Sequence, residues 1–198
     1  MIRTALYELT RRGSKNPEVR SCFRFCDHHV PERYCMRACR LHLFGENVLI
    51  TGDTPMFAIL RVERIKNLSD LSAASRHGAR NDSGTHYDPK RTKLNRHWRL
   101  GELVTAPVDL IEARKALIEQ QGLTARANGA VAAEMLLSAS GEFFFDEQTG
   151  ELREDQLEVW LQRNIEAVNN RFPRMVAAMR LDLDEGTPHL SVFLVPHY

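Results

Sequence analysis

Met175-Val-Ala-Ala-Met-Arg-Leu-Asp-Leu-Asp-Glu-Gly-Thr-Pro-His-Leu-Ser-Val-Phe-Leu-Val-Pro196 is the stretch whose reading decides the fold. Met175 to Leu183 and His189 to Pro196 are apolar-rich runs of strand length, and Asp184-Glu-Gly-Thr-Pro188 between them consists of turn-forming residues. The segment therefore predicts an antiparallel hairpin. Residues near the turn face one another across the two strands, which brings Asp182, Glu185 and His189 within reach of one cation. Two carboxylates and one imidazole make a hard donor set that suits Mg²⁺ or Mn²⁺ better than structural zinc. For this stretch alone, an acidic turn beside a satisfied histidine is the plainer reading.

Upstream of the hairpin, Leu157, Trp160, Leu161, Ile165 and Val168 recur at helical spacing. They predict a helix from about Asp155 to Arg171, ended by Pro173, with Trp160 in the core rather than serving as a platform for stacked bases. Phe143-Phe-Phe145 and the turn-like Asp146-Glu-Gln-Thr-Gly150 precede it. Ala130 to Ser138 reads as a buried strand with Val131, Ala133, Met135 and Leu137 on one side, and Val108 to Gln121 as a helix stopped by Gly122. Met56 to Lys66 reads as a strand with Leu60, Val62 and Ile65 inward, and Leu68 to Ala79 as a short helix capped by Ser69, with Leu68, Leu71 and Ala74 on one face. Arg80 to Arg99 is polar, contains Gly84 and Pro89, and reads as a long loop, a kind of segment that is usually functional when ordered. Mixed helices and strands around hairpins give an α+β fold with a largely antiparallel sheet flanked by helices.

The 198 residues, 43% of them hydrophobic, suffice for one well-packed domain plus an appendage. No run of eighteen apolar residues occurs, and Arg3 interrupts the N-terminus where a signal peptide needs an apolar stretch. Neither membrane insertion nor secretion is indicated, and a cytoplasmic location is expected. Residues 1–55 lack periodicity, are rich in Arg, Cys and His, and end in the turn-like Thr51-Gly-Asp-Thr-Pro55. They read as an irregular N-terminal extension before a domain spanning 56–198, with Met56 as a natural start. Cys22, Cys26, Cys35 and Cys39 form two Cys-x-x-x-Cys pairs near His28, His29 and His42, which only loosely resembles zinc-ligand spacing and leaves a zinc-binding regulator open.

The net charge of +1 conceals an asymmetry. Residues 61–99 carry 10 Lys and Arg against 4 Asp and Glu, whereas residues 100–198 carry 8 against 16. The concentrated basic stretch can meet phosphates or can be a solvated loop. Within it, Arg76-His-Gly-Ala-Arg80 places His77 and Arg80 three apart, on one face if helical. A guanidinium beside an imidazole disfavours the imidazolium, which keeps His77 neutral and nucleophilic, while Arg80 can clamp a phosphate. As an isolated pair they also suit an ordinary helix surface. His86 and Tyr87 are alternative nucleophiles in the basic loop, though they read rather as facing solvent or DNA backbone, and His97 with Trp98 reads as packing rather than reacting.

In order, a strand, His-x-x-Arg, a basic loop ending in Leu94-Asn-Arg96, a helix and strand, then Asp-Glu-x-x-Pro-His before a hydrophobic strand, resemble the MobV/Pre family of plasmid mobilization and recombination proteins, over Met56 to Tyr198. The resemblance implies a histidine-hydrophobe-histidine relaxase fold and a divalent cation, Mn²⁺ or Mg²⁺. It implies nicking of single-stranded or supercoiled origin-of-transfer DNA, with covalent attachment to the 5′ end. His77 matches the nucleophile, Arg80 the phosphate support, and Glu185 the acid that orients the nucleophile or assists the metal. Asp182, Glu185 and His189 stand at the metal site. Arg76, Arg80, Lys90, Arg91, Lys93, Asn95 and Arg96 are the implied DNA contacts. Asp182 and Ser191 stand where the family usually has histidines, and Arg96 where it often has an aromatic. Family members continue with further core structure and a long helical tail, so the chain reads as a C-terminally truncated copy, with any homodimer formed through the missing region. A cleavage-incompetent, DNA-binding remnant is the competing expectation.

Overall fold

Strands β5 (Val176–Asp182) and β6 (His189–Leu194) are the hairpin expected from the sequence, and every residue of β6 is buried. Their register pairs Asp182 with His189 and Arg180 with Ser191. Around them lie β4 (Ala132–Ala139), β1 (Ala58–Ile65), β2 (Arg96–Arg99) and β3 (Glu102–Val104). The six form one sheet in the order β1-β4-β6-β5-β2-β3, with every pairing antiparallel. The computed structural model describes residues 58–82, 84, 86–124 and 129–196. The described residues all belong to one compact unit. The irregular extension and cysteine-based zinc expectations therefore lie outside the described residues.

The strands' two-residue alternation separates the side chains into two cores. Met135, Met179, Leu181, Leu190, Val192 and Leu194 pack with Leu157, Leu161 and Val168 of α4 (Glu154–Arg171) and with Phe144 of the one-turn α3 (Gly141–Phe144). On the opposite face, Ala132, Ala178, Phe193 and Val195 meet Leu71 of α1 (Leu68–Gly78) and Leu110, Ala113 and Leu117 of α2 (Leu110–Gln121). The fold is α+β, an antiparallel sheet with helices on both faces, as expected. Among the described residues no helix is long and apolar enough to cross a membrane.

Several local expectations differ from what the chain does. In β1, Leu60 and Val62 are exposed and Ile65 alone is buried, because β1 is an edge strand of which only Ile65 joins a core cluster. Asn67, not Ser69, caps α1: its backbone is extended and its Oδ1 accepts from Asp70 N at 2.9 Å. Val131 precedes β4 and packs with the α2-side core, away from Ala133 and Met135. The supposed loop to Arg99 closes with a single 3₁₀ turn at Thr92–Leu94 and then strand β2, whose backbone pairs with β5 despite its two arginines. Trp98 joins the α4-side core and His97 is buried on the other face. Gly122 stops α2 in the left-handed conformation at φ 59°, as expected.

Candidate active site

The α1/α2 face of the sheet is apolar toward one end and polar toward the other. Arg180 and Asp182 on β5, with His189 and Ser191 on β6, share the polar end, because residues two apart on a strand point the same way. The C-terminal turn of α1 delivers His77, and the chain leaving it delivers Arg80 at φ 55°. The β5–β6 turn supplies Asp184 and Glu185. Loop 86–95 is tied to that turn by Asp88 N donating to Asp184 O at 2.7 Å and Thr92 Oγ1 donating to Asp184 Oδ2 at 2.8 Å.

Two buried guanidinium groups organise the carboxylates. Arg80 Nε donates to Asp184 Oδ2 at 2.9 Å, and Arg80 Nη2 donates to Asp182 Oδ1 at 2.7 Å and also reaches Asp184 Oδ1. Glu185 Oε1 lies 3.1 Å from Arg80 Nη2. From the strand below, Arg180 Nε donates to Asp182 Oδ2 at 2.7 Å. Burial alone would raise the Asp182 carboxyl, but the hydrogen bond with His189 and the charges of Arg180 and Arg80 hold it at about 2. Burial likewise opposes ionisation of Asp184 and Glu185, and hydrogen bonding to Arg80 and to His77 respectively brings each below its usual range.

His77 is pinned at both ring nitrogens. Nδ1 lies 2.8 Å from Asp82 Oδ2, and Nε2 lies 3.6 Å from Glu185 Oε1 and 3.4 Å from Arg80 Nη1. Glu185 raises its pKa above the ordinary value, against the effect of burial and with the help of Asp82. With Nδ1–H donated to the Asp82 carboxylate, Nε2 is the nitrogen left to react. His189 shows the same organisation. Its Nδ1 donates to Thr187 O at 3.0 Å, which turns Nε2 toward Asp182 Oδ2 at 3.2 Å and Glu185 Oε2 at 3.9 Å. Burial depresses the His189 pKa, but Asp182 outweighs it and the net direction is upward.

Asp182, Glu185 and His189 thus bring three donor atoms within 4.8 Å of one another. An imidazole lone pair fixed at 3.2 Å from a carboxylate oxygen needs a cation or a proton between or beside them, so these residues fit a hard divalent ion. The arginines on both oxygens of Asp182 weaken that fit, and Ser191, buried beside them, lacks an imidazole's donor.

The structure brings His77, Arg80, Asp182, Glu185 and His189 together and distributes the remaining candidates differently. The Arg80 side chain is only 6% exposed and turned toward carboxylates, where a phosphate clamp was expected. Arg96 forms a two-point ion pair with Glu158 of α4 rather than projecting free. Asn95 is half-buried, with Oδ1 accepting from Leu183 N at 2.8 Å. Arg76, Lys90 and Lys93 are exposed and Arg91 is half-buried. Tyr87 places its ring 5.0 Å from Arg80 Cζ, and His86 stacks on His77 with centroids 5.1 Å apart. The sequence reading missed Asp82, Arg180 and Asp184 as site members. The Arg180-x-Asp182-x-Asp184 alternation was a usable sign for two of them, whereas Asp82 carries no periodic mark.

The statistical model of the plasmid recombination enzyme family, Mob_Pre, matches residues 55–198. The chain belongs to the plasmid recombination enzyme family. This Mob_Pre chain is 28% identical over 147 residues, 72% of its length, to a "65 kDa protein" of Zymomonas mobilis, and spans only 23% of that relative. Its fold is similar to that of a MobM relaxase domain (MOBV) bound to a 22-nucleotide oriT DNA of plasmid pMV158 in a Mn-bound crystal structure, with TM-score 0.56, 20% identity, and 70% of each chain covered. A second Mn-bound structure of that domain, with a 3′-thiophosphate DNA, gives TM-score 0.57 at 20% identity, again over 70% of each chain. The six-stranded antiparallel sheet with its helices thus matches the fold of the MobM relaxase domain.

Proposed function

We propose that this protein nicks one strand of plasmid origin-of-transfer DNA and holds the cut 5′ end covalently. The observation that carries the reading is His77, presented at the end of α1 with Nδ1 on Asp82 and Nε2 aimed into a carboxylate pocket. His77 Nε2 attacks the scissile phosphorus, a nitrogen–phosphorus bond forms, the bond to the 3′ oxygen breaks, and that oxygen takes a proton to leave as a free 3′ hydroxyl. Asp82 fixes the ring and its tautomer. Glu185 faces Nε2 and orients its lone pair, while the Nδ1 proton, made acidic as the nitrogen–phosphorus bond forms, passes to Asp82. Arg80 and Arg180 hold Asp182 and Asp184 in register, so Arg80 acts by positioning carboxylates and not by gripping DNA. Asp182, Glu185 and His189 would hold the divalent ion, Mn²⁺ or Mg²⁺. When bound, that ion supplies positive charge beside a phosphate oxygen. The Mn-bound, oriT-bound state of the similar MobM domain supports the choice of DNA and cation. Arg76, Lys90, Arg91 and Lys93 meet the DNA backbone.

A second reading, an origin-binding protein without cleavage, draws on one observation: both oxygens of Asp182 already face guanidinium groups. One experiment separates the two. Supercoiled plasmid carrying the cognate origin is incubated with Mn²⁺ or Mg²⁺ and either the native chain or His77→Ala. Relaxed plasmid with protein on its 5′ end, absent with His77→Ala, is the expected result. Binding by both chains with nicking by neither would leave the second reading standing.

A further inference from the structure

The two oxygens of Glu185 face different neighbours. Oε2 looks toward His189, whereas Oε1 is buried and lies 3.1 Å from Arg80 Nη2, 3.6 Å from His77 Nε2 and 3.8 Å from His86 Nε2. We propose that His77, His86 and Glu185 form a second cation site, suited to zinc, whose occupancy blocks the nitrogen with which the proposed function attacks DNA. The blocking half rests on that function, and the binding half does not.

Two imidazole nitrogens and one carboxylate oxygen, with a fourth position open to water, are a donor set that zinc accepts. A tetrahedral ion at about 2.1 Å from each donor spaces the donors roughly 3.4 Å apart. The measured edges of 3.6 and 3.8 Å are close to that, and one donor atom from each residue falls within 4.8 Å of the others. Stacking aligns the two histidine rings, with an interplanar angle of 18°, so that both can present Nε2 to the same oxygen. Asp82 on His77 Nδ1 supplies the carboxylate–imidazole contact that commonly supports a metal-bound histidine. The His86 side chain is 51% exposed, which leaves the site open to ions from solvent. Arg80 opposes the ion: Nη1 lies 3.4 Å from His77 Nε2 and Nη2 lies 3.1 Å from Glu185 Oε1, so both must turn from these donors toward Asp182 and Asp184 while Nε stays on Asp184. The Asp182, Glu185 and His189 set, with two oxygens and one nitrogen, is the harder of the two, so the sites differ in the ion they prefer.

The test uses the full chain with Cys22, Cys26, Cys35 and Cys39 replaced by serine, so that thiolates do not compete, with and without His86→Ala. Zinc is titrated by competition with a chromogenic chelator, and thermal melts verify that both proteins fold. The expected result is one zinc equivalent bound by the first protein and at least about tenfold weaker binding after His86→Ala, the size typical of losing support at a metal site. Zinc is also expected to suppress Mn²⁺-supported nicking by the first protein and, relative to each protein's own zinc-free rate, to suppress nicking by His86→Ala far less. Equal zinc affinity in the two proteins overturns the site, and tight zinc binding without suppression overturns its blocking role. A chain that never nicks removes the nicking reading alone, because the zinc titration still decides whether the site exists.

Discussion

Gly78 has a job that follows from its neighbour across the interface. A Cβ at this position would overlap Arg180 Nη1 and come within 3.2 Å of Arg180 Cζ. The Arg180 side chain cannot simply swing away, since it is buried and its Nε is bound to Asp182. Gly78→Ala is therefore expected to cost about 1–3 kcal/mol, the usual penalty for overfilling a packed interior. Urea unfolding measures it, and a cost near zero would mean that the Arg180–Asp182 contact yields freely. The same contact explains what the sequence did and did not disclose about the site. His77, Asp182, Glu185 and His189, which the fold brings together, were legible as candidates from their residue types and motif spacing. Arg180 escaped notice because a lone arginine inside an apolar strand reads as an interruption until the partner charge two residues away is seen to share its face.

Helix α1 carries His77, so its ends matter more than its length. Only Leu71 and Gly78 are buried along its eleven residues, which makes the N-terminal cap a large share of what orders it. Asn67→Ala removes the acceptor for Asp70 N and is expected to cost about 1 kcal/mol. A companion Ser69→Ala, at the position the sequence reading favoured, should cost well under half of that by the same urea measurement; equal costs would refute the cap assignment. At this scale, elements with one clean period were legible. β5 and β6 fell close to their expected bounds because each is a short apolar-rich run flanking a turn, and α4 because its apolar residues recur every three to four. β2 and β3 were not legible, because Arg96, Arg99 and Glu102 break any apolar alternation and their ladder is imposed by β5. The direction of β1 was misread for the related reason that apolar residues on an edge strand need not face inward.

Across the whole molecule, the basic excess of residues 61–99 divides into two populations. Arg80 and Arg96 are neutralised by carboxylates, and of the expected DNA contacts Arg76, Lys90, Arg91 and Lys93 keep solvent-facing charge with no carboxylate partner in hydrogen-bond reach among the described residues. Lys90, Arg91 and Lys93 stand on a loop that Asp88 and Thr92 fasten to the site turn, which sets them beside His77's pocket rather than at a distance from it. If they neutralise phosphates, each releases counterions on binding, with a slope contribution of about 0.7 per contact on single-stranded DNA. Replacing all three with alanine is expected to lower the magnitude of the log affinity against log salt slope by about 2. Replacing Arg96 alone should change it little, because that charge is already paired with Glu158. Fluorescence anisotropy of a labelled single-stranded oligonucleotide between 50 and 200 mM salt gives both slopes. An unchanged slope in the triple variant would move the DNA path off this loop, and a large change with Arg96 would show that the Glu158 pair opens when DNA arrives.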